Sequence, residues 1–448
     1  MKKFITTLQN IFKIEDLRTR ILNTLGFILI YRLGSFVVIP GVDPAKLGGL
    51  QAQTSDGLLG LLNMFSGGAF SNASIFALGI MPYISASIVL QLAGMAVPAL
   101  QKLQKEGESG RKKITQYTRY LTILITLGQA PGYIANLKSQ LPADAFLTSP
   151  SLFWISSILI LVTGTMFVMW LGEKITDKGI GNGISILIMV GIIASLPFSF
   201  VAEFFSRLEQ SGGGLVIFLI EMVLLMLVIV FTILLVQGTR RIPVQVARAA
   251  ISGRQALPQG GARQYIPLKV NAAGVMPIIF AQAIMFVPVT LGGFAGDGAS
   301  WFVTSFSDFT GWTYNLTFFF LIIIFTYFYT AITINPNQIA EDMKRNGGYI
   351  PGVKPGKKTA EYIDNVMSRI TLPGSVFLGL VAVMPAIAMV FGVNAQFAQF
   401  YGGTSLLIMV GVVLDTLQQI ESHLLMRHYD GLMKSGRIKG RSSMSMAG

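Results

Sequence analysis

The run LVIFLIEMVLLMLVIVFTILLV (Leu215–Val236) decides the fold. Its only charged residue is Glu221, and about 20 such residues in helix suffice to cross the hydrocarbon core of a bilayer. Nine further runs meet the same requirement: Ile21–Ile39, Ile75–Val97, Tyr120–Leu137, Leu152–Leu171, Ile184–Phe200, Ala272–Leu291, Tyr314–Ile334, Thr371–Phe391 and Thr404–Ile420. Several carry proline (Pro82, Pro131, Pro277, Pro288, Pro385), which a membrane helix tolerates when neighbours or water satisfy the freed backbone groups. Of 448 residues, 52% are hydrophobic and only 12% charged, against roughly 25% charged in soluble domains. Lipid therefore replaces water around much of the surface. The sequence reads as an all-α polytopic membrane protein with ten transmembrane helices.

Basic residues set the orientation. Thirty of the 34 Lys and Arg lie in the N-terminal segment, loops 2/3, 4/5, 6/7 and 8/9, and the C-terminal tail. The other five loops hold three, and Arg32 lies inside the first span. The positive-inside rule places both termini in the cytosol and accounts for most of the net charge of +13 without nucleic acid; no DNA partner is expected. Ten spans divide into five and five, which permits two inverted halves. The expected organisation is a cytosolic segment at 1–20, an N-terminal half at 21–205, a C-terminal half at 206–422 and a cytosolic tail at 423–448. The N-terminus lacks an uninterrupted apolar core and a small-residue cleavage site, so it does not read as a removable signal peptide.

Two cytosolic loops, 237–271 and 335–370, are long and basic and contain β-branched residues and Pro-Gly turns. That composition suits ordered protrusions. They serve either as positive-inside determinants drawn to anionic lipid or as a docking platform for an acidic or RNA-rich partner. On the outer side, GLLGLLNMFSGGAFSN (Gly57–Asn72) is apolar but too short to span. Leu58, Leu61, Leu62 and Phe65 share one helical face, and Gly67-Gly68 should end that helix. The segment either anchors in the interface or re-enters the membrane as a plug. Within the spans the charges are Arg32, Glu221 and Asp415. Each is either a helix-pairing residue or part of an ion relay, and Arg32 could also snorkel outward.

Catalytic chemistry is not expected. There is no Walker A sequence and no HExxH motif, and the two histidines, His423 and His428, lie beyond the last span. With no cysteine, disulfides and thiolate metal sites are excluded. No cofactor or metal is expected, and GIGNG (Gly179–Gly183), lacking a following lysine and a preceding strand, reads as a turn into span five. Besides a channel, the composition admits a secondary transporter for a small solute, an intramembrane hydrolase or a non-transporting insertase. A transporter would carry paired intramembrane carboxylates or helices broken at a midplane site.

The residues also carry a family resemblance. NMFSGGAFSNASIFALGIMPYISASIVLQL (Asn63–Leu92) resembles the plug and second helix of the SecY family. KEGESGRKKITQYTRY (Lys105–Tyr120), VTGTMFVMWLGEKITDKGIGNGISILI (Val162–Ile188), IPLKVNAAGVMP (Ile266–Pro277), PGVKPG (Pro351–Gly356) and YGGTSLLI (Tyr401–Ile408) match it in order. The resemblance implies a SecY-like hourglass channel of two five-helix halves. It implies a pore ring at Ile80, Ile84, Ile184, Ile188, Ile279 and Ile408. A narrow apolar constriction hinders ions when empty and deforms around any threading polypeptide. It further implies a plug at 57–72, including Leu58, Leu61, Leu62, Met64, Phe65, Gly67 and Gly68, with the glycine pair as hinge. Spans two and seven would line a lateral gate containing Pro82, Ser85, Gln91, Asn271 and Pro277. Arg240, Arg241, Lys354, Lys357 and Lys358 would dock a cytosolic partner. Lys354 stands where many members carry arginine, which keeps the charge and loses the bidentate fork. The implied partners are the SecE and SecG subunits, the SecA motor ATPase, the ribosome, precursor polypeptides with signal sequences, and membrane lipid.

Overall fold

A computed structural model describes residues 14–48, 60, 63–209, 214–246, 264–282, 284–285, 305–306 and 308–434. Among the described residues, helices run along nine of the ten expected spans: α1 (Glu15–Gly34), α2 (Met81–Ala96), α4 (Glu108–Gln140), α5 (Pro150–Lys178), α6 (Gly183–Glu209), α7 (Gly214–Gln237), α8 (Trp312–Thr333), α10 (Lys357–Val390) and α11 (Gly403–Lys434), and the described start of span seven is helical over 276–282. Two shorter helices, α3 (Pro98–Lys105) and α9 (Pro336–Arg345), lie between them. Of span seven only the start is described, to residue 285; its remainder through Leu291 lies outside the described residues. Among the described residues six helices are long and apolar enough to cross a membrane, and α2 with α3 forms a further candidate bent by 104°. The protein is a multi-pass membrane protein.

On α7, Val216, Leu219, Val223, Met226, Val230 and Leu234 are all more than half exposed. Water would penalise that surface, whereas lipid tails accept it. Span three solves the opposite problem, since it buries hydroxyls at Thr118, Thr122 and Thr126. Each donates to the carbonyl four residues earlier, at 2.9, 2.7 and 2.7 Å, so none reaches the helix interface unsatisfied.

The chain forms two compact units, residues 1–197 with 412–448 and residues 198–411. The core of the first includes Ile39, Phe70, Tyr133, Ile134, Leu137, Phe153 and Leu161. Its second span departs from the expected helix over 75–97. The chain turns from Ser66 to Ile80, and the regular helix starts only at Met81. Ala73 at φ +45° and Gly79 at φ +53° take left-handed backbone there, and Pro82 sits in the first turn, where its missing N–H costs nothing. GIGNG is a turn, as its glycines suggest: Gly181 has φ +79°, and its N–H donates to Gln419 Oε1 at 2.9 Å.

In the second unit the two basic loops share one sheet. Strand β1 (Thr239–Val246) pairs antiparallel with β2 (Gln264–Lys269), Arg240 facing Leu268 and Ile242 facing Ile266. Its far end pairs with β3 (Gly348–Tyr349), giving the order β2-β1-β3. Ile242, Val244, Leu268, Met343, Ile350, Ile363 and Met367 form a core beneath it, closed by α9, whose Asn335 side chain accepts from the N–H groups of Asn337 and Gln338. The described parts of the two loops are ordered, as their composition suggests; residues 247–263, with Arg248, Arg254 and Arg263, lie outside the described residues.

Candidate functional site

The segment between spans one and two is folded tightly. Residues 63–65 are helical and the turn at Ser66 ends them. Gly67 (φ +67°) and Gly68 (φ +87°) then take the left-handed conformation that a side chain would strain. Asn63 organises the turn from Ser66 to Ser71. Its carbonyl accepts from the Gly68 N–H at 2.9 Å and the Ser66 hydroxyl at 3.0 Å, and its Oδ1 accepts from the Ser71 N–H at 3.0 Å. Ser66 Oγ in turn accepts from the Phe70 N–H at 3.1 Å. Met64, Ala69 and Phe70 are buried and Phe65 is half-buried. Leu58, Leu61 and Leu62 lie outside the described residues.

This knot rests on α6. A Cβ added to Gly191 would lie 2.9 Å from the Phe65 carbonyl oxygen and 3.2 Å from the Gly67 nitrogen. Gly191 lies one helical turn beyond Ile188 on the same face. The folded segment therefore packs one turn away from an expected ring position, backbone against backbone. Among the described residues, side chains of Arg32, Tyr31 and Tyr133 hold it from outside. Arg32 Nη1 donates to the Gly67 carbonyl at 2.8 Å, the Tyr31 hydroxyl to the Ser66 carbonyl at 3.3 Å, and the Tyr133 hydroxyl to the Phe70 carbonyl at 2.9 Å. Sequence reasoning left Arg32 between helix pairing, an ion relay and snorkelling, because a bond to a backbone carbonyl leaves no partner residue to recognise.

Four ring positions fall in the first unit. Ile80 (4% exposed) caps α2, and Ile84 follows one turn later, half-buried. Ile188 is buried. Ile184 is half-buried beside Gly172 of α5, where an added Cβ would meet its Cγ1 at 2.8 Å. In the second unit Ile279 is half-buried at the start of span seven, and Ile408 is buried on α11.

The expected gate residues divide likewise. Pro82, Ser85 and Gln91 lie on α2, and the Ser85 hydroxyl donates within its own helix to the Met81 carbonyl at 3.1 Å. Asn271 and Pro277 lie at the start of span seven, and the Asn271 Oδ1 is buried with no hydrogen-bond partner among the described residues. Arg240 and Arg241 are exposed on β1. Lys354, Lys357 and Lys358 are exposed around the turn formed by Gly352 (φ +85°) and Gly356 (φ +97°). Lys358 reaches Glu361 at 3.1 Å.

A buried ionic group was not visible in the apolar runs. Helix α6 continues past Phe200 to Glu209 and buries Glu203 and Arg207. Arg207 Nε donates to Glu203 Oε1 at 2.8 Å, and its Nη2 donates to Glu221 Oε1 and to the Gly392 carbonyl, both at 2.6 Å. The i,i+4 spacing of Glu203 and Arg207 was the available signal. Asp415, the third expected in-span charge, is exposed and accepts from Gln419 Nε2 at 3.3 Å.

Apolar spans, a folded segment between spans one and two seated on a helix face and a basic sheet at the loops together define a polytopic membrane protein of the protein-channel type. The sequence profile of the SecY family matches residues 74–417, and the chain belongs to that family. The protein translocase subunit SecY of Streptomyces scabiei is 44% identical over 445 residues, covering 96% of this chain and all of that protein. Two solved structures share the fold at 16% identity, each covering 96% of this chain and 95% of theirs. One, with a TM-score of 0.59, is a SecY protein whose plug domain is described as stabilising the closed state of its translocation channel and maintaining a membrane seal. The other, with a TM-score of 0.57, is Sec61 in the canine ribosome-channel complex from the endoplasmic reticulum. The nine helices found on expected spans fit the ten-span SecY fold.

Proposed function

We propose that this chain is a protein-conducting channel of the cytoplasmic membrane, with both termini in the cytosol. It passes unfolded secretory polypeptides across and releases transmembrane segments sideways into lipid. The observation that carries the reading is the seat of residues 65–67 on Gly191, one turn from Ile188. A short apolar segment folded back onto a span has the form of a plug; relatives of this chain are named as translocase subunits, and a plug domain is described for one of the solved structures that share its fold. Ile80, Ile84, Ile184, Ile188, Ile279 and Ile408 form the apolar ring that the cargo threads. Pro82, Ser85, Gln91, Asn271 and Pro277 line the gate. No catalytic step is assigned to the chain; the driving energy comes from a SecA-type motor, a ribosome or the membrane potential, and SecE- and SecG-type subunits complete the assembly.

The test uses the natural absence of cysteine. With single cysteines at Ile84 and Ile279, a precursor stalled in transit crosslinks to both positions and not to a cysteine on the exposed face of α7 such as Val223. Crosslinking to Val223 alone, or to none of the three, overturns the reading.

The sheet and the turn beyond β3 are the docking surface, since they present the exposed Arg240, Arg241 and Lys354. Exposed ion pairs contribute roughly 0.2–1 kcal/mol each, so reversing all three to glutamate weakens binding of the motor or the ribosome about tenfold at low salt. The deficit shrinks as salt screens the parent's attraction. Equal affinities at low ionic strength would remove the assignment.

A further inference from the structure

The holds on the plug are not alike. Tyr133 fixes Phe70 from a fully packed site, and the chain beyond is bridged to the end of span one by Ile39 N–H to Ala73 carbonyl and Ile75 N–H to Val37 carbonyl, both 2.9 Å. Those bonds anchor the root of the segment. Nearer its tip the outside donors are Arg32 and Tyr31, both in the last turn of α1. Arg32 is half-buried and, among the described residues, has no carboxylate within 4 Å; its guanidinium also lies 5.4 Å from the Phe36 ring centre. The Gly67 backbone is wedged between this group and α6. A Cβ at residue 67 would come within 2.7 Å of Arg32 Nη1 and 2.9 Å of the Gly191 Cα.

We infer that Arg32 is a positioning residue for the plug, a latch whose guanidinium holds the Gly67 carbonyl in the resting channel and must let go before the segment moves. The inference rests on the plug reading of the proposed function. The chemistry of the pair suits a reversible hold. A hydrogen bond from a charged donor is stronger than a neutral one, so one contact can bias the resting position. The acceptor is a carbonyl and not a carboxylate, so release strands no buried counter-ion, the large penalty that makes a buried ion pair hard to open. The freed guanidinium can turn to water or remain over Phe36. Tyr31 adds a second, neutral and longer bond to the preceding carbonyl. The two donors leave consecutive helix residues and grip consecutive carbonyls, so a movement that lifts Gly67 breaks both. Arginine at 32 and glycine at 67 thus form one fitted pair, because any side chain at 67 would occupy the guanidinium's place.

The experiment uses the full channel with its partner subunits in planar bilayers and proteoliposomes. Arg32→Met keeps the bulk and removes the donors. Losing a charge-assisted bond shifts the resting equilibrium roughly ten- to hundredfold. The resting ion conductance therefore rises by that factor, and so does the labelling rate of a Phe65→Cys probe by a charged thiol reagent. Arg32→Lys, which retains a charged donor, recovers most of the seal; a merely structural loss of packing would not be rescued this way. If Arg32→Met fails to accumulate, Arg32→Gln is read by the same two measurements. Parent-like conductance and labelling in the variant, with Gly191→Val leaking, overturn the latch and leave the plug reading intact. If Gly191→Val is also tight while it is folded, the plug reading fails and the latch fails with it.

Discussion

Replacing Arg207 with methionine destabilises the folded channel by about 3–5 kcal/mol, the usual penalty for stranding a buried charge. Three residues decide this value: Glu203, Arg207 and Glu221, only 1%, 5% and 5% exposed. One guanidinium serves two carboxylates and the Gly392 carbonyl. The second oxygen of Glu203 is taken by the Asn394 N–H at 2.9 Å, and the Tyr401 hydroxyl donates to the Glu221 backbone carbonyl at 2.8 Å. The cluster thus ties together the end of α6, the first turns of α7 and the chain following α10. Methionine fills the volume but leaves two buried carboxylates without a cation. Thermal unfolding of the purified complex in lipid nanodiscs measures the loss. The triple variant Arg207→Met, Glu203→Gln, Glu221→Gln recovers part of it, since no uncompensated charge remains. A single variant within about 1 kcal/mol of the parent, an ordinary surface-substitution effect, would show that the cluster is not charged as drawn.

Valine at position 191 unseats the proposed plug. The new Cβ would lie 2.9 Å from the Phe65 carbonyl oxygen and 3.2 Å from the Gly67 nitrogen. Both neighbours are backbone atoms, so no rotamer change relieves the contact. Overpacking of this kind costs roughly 1–3 kcal/mol, which biases a closed-to-open equilibrium by about five- to 150-fold. Relief comes from the segment at 65–67, held by a few hydrogen bonds, more readily than from the long helix α6. The resting conductance of Gly191→Val therefore rises while its unfolding temperature stays near the parent's. A folded variant as tight as the parent would contradict the placement of the plug on this helix. Gly191→Ala produces a smaller leak in the same direction.

Much of this was legible in the chain. A run such as Leu215–Val236 has one stable fate, and the basic residues mark its flanks. The loops' β-branched residues announced order. Their pairing did not show, because Gln245 and Tyr349 are distant in sequence and β3 has only two residues. The start of span two was misplaced by six residues because hydropathy does not register a left-handed Ala73. Glu203 and Arg207 were overlooked because an apolar window ends where polar residues begin, although a helix with an internal ion pair continues. The Arg32 contact was invisible for a different reason: hydrophobic patterns and charge pairs concern side chains, and its partner is main chain.

The sheet shared by loops 6/7 and 8/9 has a consequence for inheritance. Strand β1 grows out of α7 and β2 leads into span seven, while β3 comes from a loop that sequence alone would treat as separate. Neither loop can drift to suit a new partner without the other, because each supplies strands and core residues to a common fold. Grafting one of them from a distant relative would leave mismatched edges, whereas exchanging both together transplants a complete module.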